Sequence, residues 1–104
     1  MLYVWRGNLK EGKQDEYEKW VSNEYIDQMK KRAAPGWKFV GIYITSMSLG
    51  STDVTEIWEF KKYADLDKIR IWDPVVTKLI RKSFSFFQQG SDRAQILREV
   101  GGRK

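Results

Sequence analysis

The sequence predicts an α+β fold, a four-stranded antiparallel sheet with helices packed on one face. Three observations carry this. Residues 37–45 and 54–61 are rich in β-branched and aromatic residues and flank a Ser-, Gly- and Asp-containing stretch, 46–53, which is a hairpin signature. Two stretches of helical periodicity, 14–34 and the one opening at Asp73-Pro74, lie on either side of that hairpin. A two-stranded hairpin is marginal alone in water, and one further candidate strand stands at each end of the chain to extend it.

In order, Leu2 to Gly7 reads as the first strand, with Leu2, Val4 and Arg6 on one face and Tyr3, Trp5 and Gly7 on the other. Residues 8–13 form a turn and helix entry. Over 14–34, Tyr17, Trp20, Val21, Tyr25, Met29 and Ala33 recur at steps of three and four, a stripe suited to lying on a sheet. Lys30-Lys31-Arg32 fall in its last turns, where cations favour the negative end of the helix dipole, and Pro35-Gly36 ends it. Strict alternation in the second strand puts Trp37, Phe39, Gly41 and Tyr43 on one face and Val40, Ile42 and Ile44 on the other. The third strand presents Val54, Glu56, Trp58 and Phe60 on one side and Thr55, Ile57, Glu59 and Lys61 on the other. Asp65 is placed to cap a short helix through Arg70. Asp73 and Pro74 supply the N-cap and first position of the next helix, followed by Val75, Val76, Leu79, Ile80, Ser83 and Phe87 at helical spacing. Residues 93–100 read as a fourth strand and 101–104 as a frayed tail. The 104 residues form one domain, with no internal repeat, linker or low-complexity segment.

Composition narrows the chemistry. At 41% hydrophobic and 14% aromatic, with five Trp, the chain has the material for a core. Cysteine is absent, so disulfides, thiolate metal sites and a Cys nucleophile are excluded. Histidine is also absent, which excludes Ser-His-Asp and Cys-His catalysis, His-ligated zinc and His-ligated haem. No apolar run approaches the roughly 20 residues of a membrane span. Met1 to Trp5 runs straight into Arg6 and does not read as a signal peptide, so the expected location is the cytoplasm. The formal net charge of +5 is a basic excess on a mixed surface, permitting an anionic partner without requiring one.

The element order strand, helix, strand, strand, helix, strand is the split βαβ, or ferredoxin-like, arrangement. Two helices cover only one sheet face. The second strand is apolar on both faces, so Val40, Ile42 and Ile44, or else Trp37, Phe39 and Tyr43, would meet water as one patch. Monomers seldom expose such a patch. Pairing of two sheets back to back in a homodimer resolves this, with Val40, Ile42 and Ile44 as the expected interface.

These residues resemble the dimeric α+β barrel superfamily. Pro35-Gly36-Trp37 followed by Gly41 is similar to the Pro-Gly-aromatic start of strand two in its antibiotic-biosynthesis-monooxygenase-like members. Ile57-Trp58-Glu59-Phe60, then Ala64-Asp65-Leu66 and Ile71-Trp72-Asp73-Pro74, resembles the NIPSNAP-type members, where a Trp-bearing strand leads to a short helix and a Trp-Asp-Pro helix start. The resemblance covers most of the chain and rests on structural motifs. It implies a sheet-to-sheet homodimer and, through the monooxygenase-like members, chemistry without metal or organic cofactor in which the substrate itself is activated. The haem-degrading members use an Asn, a His and a Trp. Here His is missing, Trp5 or its neighbours stand where that Asn would be, Asn8 lies at the strand end, and Phe60 rather than Trp58 occupies the Trp position.

Two constellations are candidate sites. Tyr3, Trp5, Tyr25, Trp58 and Trp72 form a set that lines a cleft for a flat hydrophobic molecule or else fills an ordinary core. Glu56 shares a strand face with Trp58 and Phe60. Buried among aromatics, its carboxyl would have a raised pKa and serve as an acid or base; at an edge, it would pair with Arg6 or Arg98. The competing function is nucleic-acid binding, because RNA-recognition domains share this element order, and Leu2-Tyr3-Val4 with Gly7-Asn8-Leu9 resembles their first-strand motif. Trp5-Arg6 interrupt that motif, and the third strand carries Glu56 and Glu59 in place of basic and Gly residues, which argues against phosphate binding. The reading is a homodimer with a small hydrophobic-ligand cleft in each subunit. A ligand-free structural dimer stands as the alternative, and enzymatic status is open.

Overall fold

The structure is a computed structural model that describes residues 1–45, 53–70 and 73–101. The strands are β1 (Leu2–Gly7), β2 (Trp37–Ile44), β3 (Val54–Phe60) and β4 (Arg93–Leu97), in the spatial order β2-β3-β1-β4 with every neighbour antiparallel. This is the ferredoxin-like order expected from the sequence. Helical segments α1 (Gln14–Trp20), a π-helical turn (Val21–Tyr25) and α2 (Ile26–Lys31) follow one another without a break, and α3 (Pro74–Phe84) precedes β4. The tip of the hairpin, Ile71-Trp72 and the last three residues lie outside the described residues, and with them most of the expected tail.

The first helical stretch forms where the apolar stripe predicts. Tyr17, Trp20, Val21, Tyr25 and Met29 are all buried, while Asp15 and Glu16 in its first turn and Lys30 and Lys31 in its last complement the dipole. It ends at Lys31 rather than reaching residue 34. The chain then turns at Gly36, whose φ of +87° suits glycine. A second constraint acts there: a Cβ on Gly36 would stand 2.8–2.9 Å from the carboxylate of Asp65. The expected helix capped by Asp65 is a 3₁₀ segment (Tyr63–Arg70) that starts two residues earlier. Asp65 is not its N-cap. Its carboxylate accepts from the Lys62 amide at 3.3 Å and is buried under the Pro35-Gly36 turn, while its carbonyl accepts from Trp37 Nε1 at 2.7 Å. Asp73 does cap α3. It accepts from the Val75 amide at 2.8 Å and also from Arg32 Nη1 at 2.9 Å, which ties the end of α2 to the start of α3.

Alternation in β2 fails at one point, and the failure reassigns a face. Phe39 lies opposite Trp58, yet Gly41 lies opposite Ile57, so Val40 is an extra residue in a β-bulge. Trp37 and Phe39 face the helices before the bulge; Ile42 and Ile44 face them after it, opposite Glu56 and Val54. The expected single patch of Val40, Ile42 and Ile44 is therefore divided. Ile42 and Ile44 pack against the core, and Val40 stays on the far side with Tyr43, whose ring lies against Gly41. The far face thus carries Leu2, Val4, Val40, Tyr43, Ile57 and Leu97, interspersed with Arg6, Glu59 and Gln95. β4 ends at Leu97, three residues short of expectation.

The core lies between helices and sheet and is strongly aromatic. Trp37 stacks on Phe60 at 4.8 Å and meets Trp58 edge-on at 6.2 Å, while Phe39 meets Trp58 edge-on at 5.0 Å. At the other end Tyr17, Trp20, Phe86 and Phe87 form a second aromatic group. A clasp closes that end. The Asp53 amide donates to Asn8 Oδ1 at 3.0 Å, and the Leu9 amide donates to Asp53 Oδ2 at 3.0 Å. Asn8 is thereby committed to holding β1 against the hairpin.

Candidate functional site

Between the two aromatic groups the packing opens into a cavity of about 90 Å³, lined by Tyr3, Trp5, Tyr25, Glu56, Trp58, Ile80, Ser83 and Phe84. Its walls come from β1, the π-helical turn, β3 and α3. Alternation brings Tyr3 and Trp5 to this face of β1, and the register sets Trp5 opposite Glu56 and Tyr3 opposite Trp58. Gly7 makes the position of Trp5 feasible, because a Cβ there would lie 2.7 Å from the Trp5 ring. Trp5 is further held by Phe87 at 4.8 Å and Phe84 at 5.9 Å. A second hollow of about 440 Å³ shares Trp5 and Phe84 with the cavity.

Glu56 is the acidic group on this surface, and it is 9% exposed. Its partners are neutral. Tyr25 donates its hydroxyl proton between the two oxygens, 3.0 Å from each, and Trp58 Nε1 donates to Oε2 at 2.7 Å. Among the described residues no Lys or Arg pairs with it. Arg6, one of the two expected pairing partners, points away and donates to Gln95 at 2.8 Å on the far face. Burial pushes the Glu56 carboxyl above the ordinary carboxylate range, and the bonds from Trp58 and Tyr25 oppose that push in part. Burial, reinforced by the nearby Glu56 charge, also raises the phenols of Tyr25, Tyr17 and Tyr3. All three are neutral donors at physiological pH. Ser83 is buried, and Lys82 beside it turns to the Trp20 ring, 5.3 Å from its centroid.

Four of the five aromatic residues selected from the sequence, Tyr3, Trp5, Tyr25 and Trp58, surround this one cavity together with Glu56; Trp72 lies outside the described residues. Ile80, Ser83 and Phe84 were not singled out. Ser83 carried a signal, a small polar residue inside an apolar helical stripe. Phe84 carried none, since it falls off that stripe. Among the described residues no group of three or more acidic side chains could hold a metal ion, and no helix is long and apolar enough to cross a membrane.

A NIPSNAP family protein from Agrobacterium tumefaciens superposes with a TM-score of 0.73 over 96% of this chain and 85% of its own, at 20% identity. An uncharacterised NIPSNAP domain protein from Burkholderia xenovorans gives 0.70 over 100% and 99%, at 15% identity. The chain shares the NIPSNAP fold. A second Agrobacterium tumefaciens protein gives 0.71 over 97% of this chain and 95% of its own, at 22% identity. No family model matches the sequence, and no curated protein matches it. At these identities, what the chain has in common with the NIPSNAP structures is the ferredoxin-like α+β architecture, and the cavity must be read from its own residues.

Proposed function

We propose that the chain is a small-molecule-binding α+β barrel subunit whose cavity takes a compact, mostly apolar, aromatic-type ligand with one polar group directed to Glu56. One observation carries this reading: a buried carboxylate, without a charge partner among the described residues, faces a cavity walled by five aromatic rings. A carboxylate placed only for stability would be expected to have a cation or a full set of donors, because a half-satisfied buried charge costs several kcal/mol. Tyr25 and Trp58 supply two donors against about four acceptor sites. Oε1 receives only its share of the Tyr25 bond, so an acceptor site is left for a guest.

The same carboxylate, set beside a bound substrate, is what proton abstraction requires. This is how monooxygenase-like or isomerase-like chemistry without a cofactor would begin on this scaffold. Binding comes first in either case. The apolar far face of the sheet supports assembly of two subunits back to back. RNA binding is disfavoured by the position of Tyr3, which turns towards the helices, 5.9 Å from Trp37, rather than onto the open face. Benzyl alcohol, titrated while Trp fluorescence is recorded, tests the site. Saturable quenching that weakens at least tenfold in Trp5→Ala is expected. A wild-type protein with no saturable response would leave the ligand-free structural dimer as the reading.

A further inference from the structure

The carboxyl group in the cavity specifies its guest more closely than the cavity's shape does. Glu56 is enclosed by Tyr3, Trp5, Tyr25, Trp58 and Phe84, and among the described residues the elements packed against it bring no cation to it. β1 presents Tyr3 and Trp5, the π-helical turn presents Tyr25 with Tyr17 behind it, β3 adds Trp58, β2 sets Ile42 opposite, and α3 presents Ile80, Ser83 and Phe84. The titratable groups in that list besides Glu56 are phenols that stay neutral at physiological pH. Of the two basic residues adjacent in sequence to this wall of α3, Arg81 is exposed and Lys82 is engaged with Trp20. A carboxylate among aromatic faces is the arrangement that recognises an organic cation. The rings attract positive charge through their quadrupoles, and the carboxylate supplies the countercharge and accepts the N–H.

Building on the binding reading above, we infer that the ligand is a small hydrophobic amine, bound as its ammonium ion with the N–H on Glu56 and its apolar body among the rings. The formal net charge of +5 does not oppose this, because surface charges are screened beyond about 8–10 Å in physiological salt whereas a contact inside the cavity is not. The π-helical turn fits the same assignment, since such turns recur at functional sites and this one ends at Tyr25, which orients the carboxylate.

Three probes of similar size separate the outcomes by calorimetry or Trp quenching: benzylamine, benzyl alcohol and benzoate. Benzylamine is expected to bind at least tenfold more tightly than benzyl alcohol at neutral pH, and benzoate not to bind. Glu56→Gln should abolish that preference while keeping the binding of benzyl alcohol. Should that variant fail to fold, wild-type protein decides the matter. Acidification protonates Glu56 while the amine stays charged, so benzylamine affinity must fall with pH while that of benzyl alcohol holds. Benzyl alcohol binding as tightly as benzylamine, or a preference that survives Glu56→Gln, overturns the amine assignment and leaves the binding site standing. If none of the three binds, both readings fail together.

Discussion

At the scale of the residue, Glu56 makes an unusual contribution to stability. The carboxyl has a raised folded-state pKa, so the folded protein holds its proton to a higher pH than the unfolded chain, whose Glu titrates near about 4.3. Below that unfolded value Glu56 contributes fully. As pH rises through the folded value, stability is lost, the reverse of an ion-paired carboxylate such as Asp73, which its bond from Arg32 holds below the usual range. In denaturant melts across pH 4 to 8, wild type should therefore lose stability relative to Glu56→Gln as pH rises. Parallel curves for the two proteins would refute the assignment. Gln can accept from Trp58 and donate to the Tyr25 oxygen, so at low pH the two should agree within about 1 kcal/mol. Glu56→Ala strands the Trp58 N–H and Tyr25 O–H and should cost about 2–3 kcal/mol. That Glu56 shares a face with Trp58 was legible from alternation alone. That a Tyr from the first helical stretch, and not an Arg, completes its partners depends on helix placement, which one strand's sequence does not encode.

At the scale of the element, legibility tracked how strongly each pattern penalised its alternatives. The cap at Asp73-Pro74 and the stripe from Tyr17 to Met29 were readable because polar residues in the wrong place would be costly. The bulge at Val40 was not. Val40, Gly41 and Ile42 are acceptable on either face, so slipping the alternation by one residue leaves no polar residue buried to betray it. The π-helical turn was equally silent, because Tyr17, Val21, Tyr25 and Met29 recur every four residues whether one turn is widened or not. Gly36 offers a quantitative test of the turn that places β2. Both Gly12 and Gly36 have positive φ, +77° and +87°, but a Cβ at Gly12 meets nothing within 4 Å while at Gly36 it meets Asp65. Gly12→Ala should lose the conformational part alone, about 1 kcal/mol. Gly36→Ala should lose clearly more, by about 1–3 kcal/mol, since it also drives a buried carboxylate from its place. Equal losses in thermal or denaturant unfolding would show that Asp65 yields freely and does not fix the turn.

At the scale of the whole molecule, the bulge decides which residues can meet a second subunit. Strict alternation would have offered Val40, Ile42 and Ile44, but the folded chain offers Val40 and Tyr43 from β2 beside Ile57 from β3, Leu2 from β1 and Leu97 from β4, while Val4 of β1 is already buried within the subunit. Val40 and Tyr43 are 40% and 53% exposed. Covering a few hundred Å² of such surface is worth several kcal/mol at about 25 cal/mol per Å², and specific pairing usually buries more than about 1,000 Å² in total. A twofold pairing of this face with itself would cover it and leave the cavity, on the opposite side of the sheet, free in each subunit. Wild type should then sediment as a dimer at micromolar concentration. Val40→Glu should give a folded monomer, because the residue is already part-exposed in the single subunit and its charge is costly only when a partner buries it. Ile42→Glu, by contrast, should unfold the protein rather than dissociate it, as it places an unpaired charge opposite Glu56 in the core layer. The opposite pattern, an Ile42→Glu protein that folds as a monomer and a Val40→Glu protein that remains dimeric, would mean that the chain in solution keeps the unbulged register. A monomeric wild type would mean that the far face of the sheet is not a self-association surface.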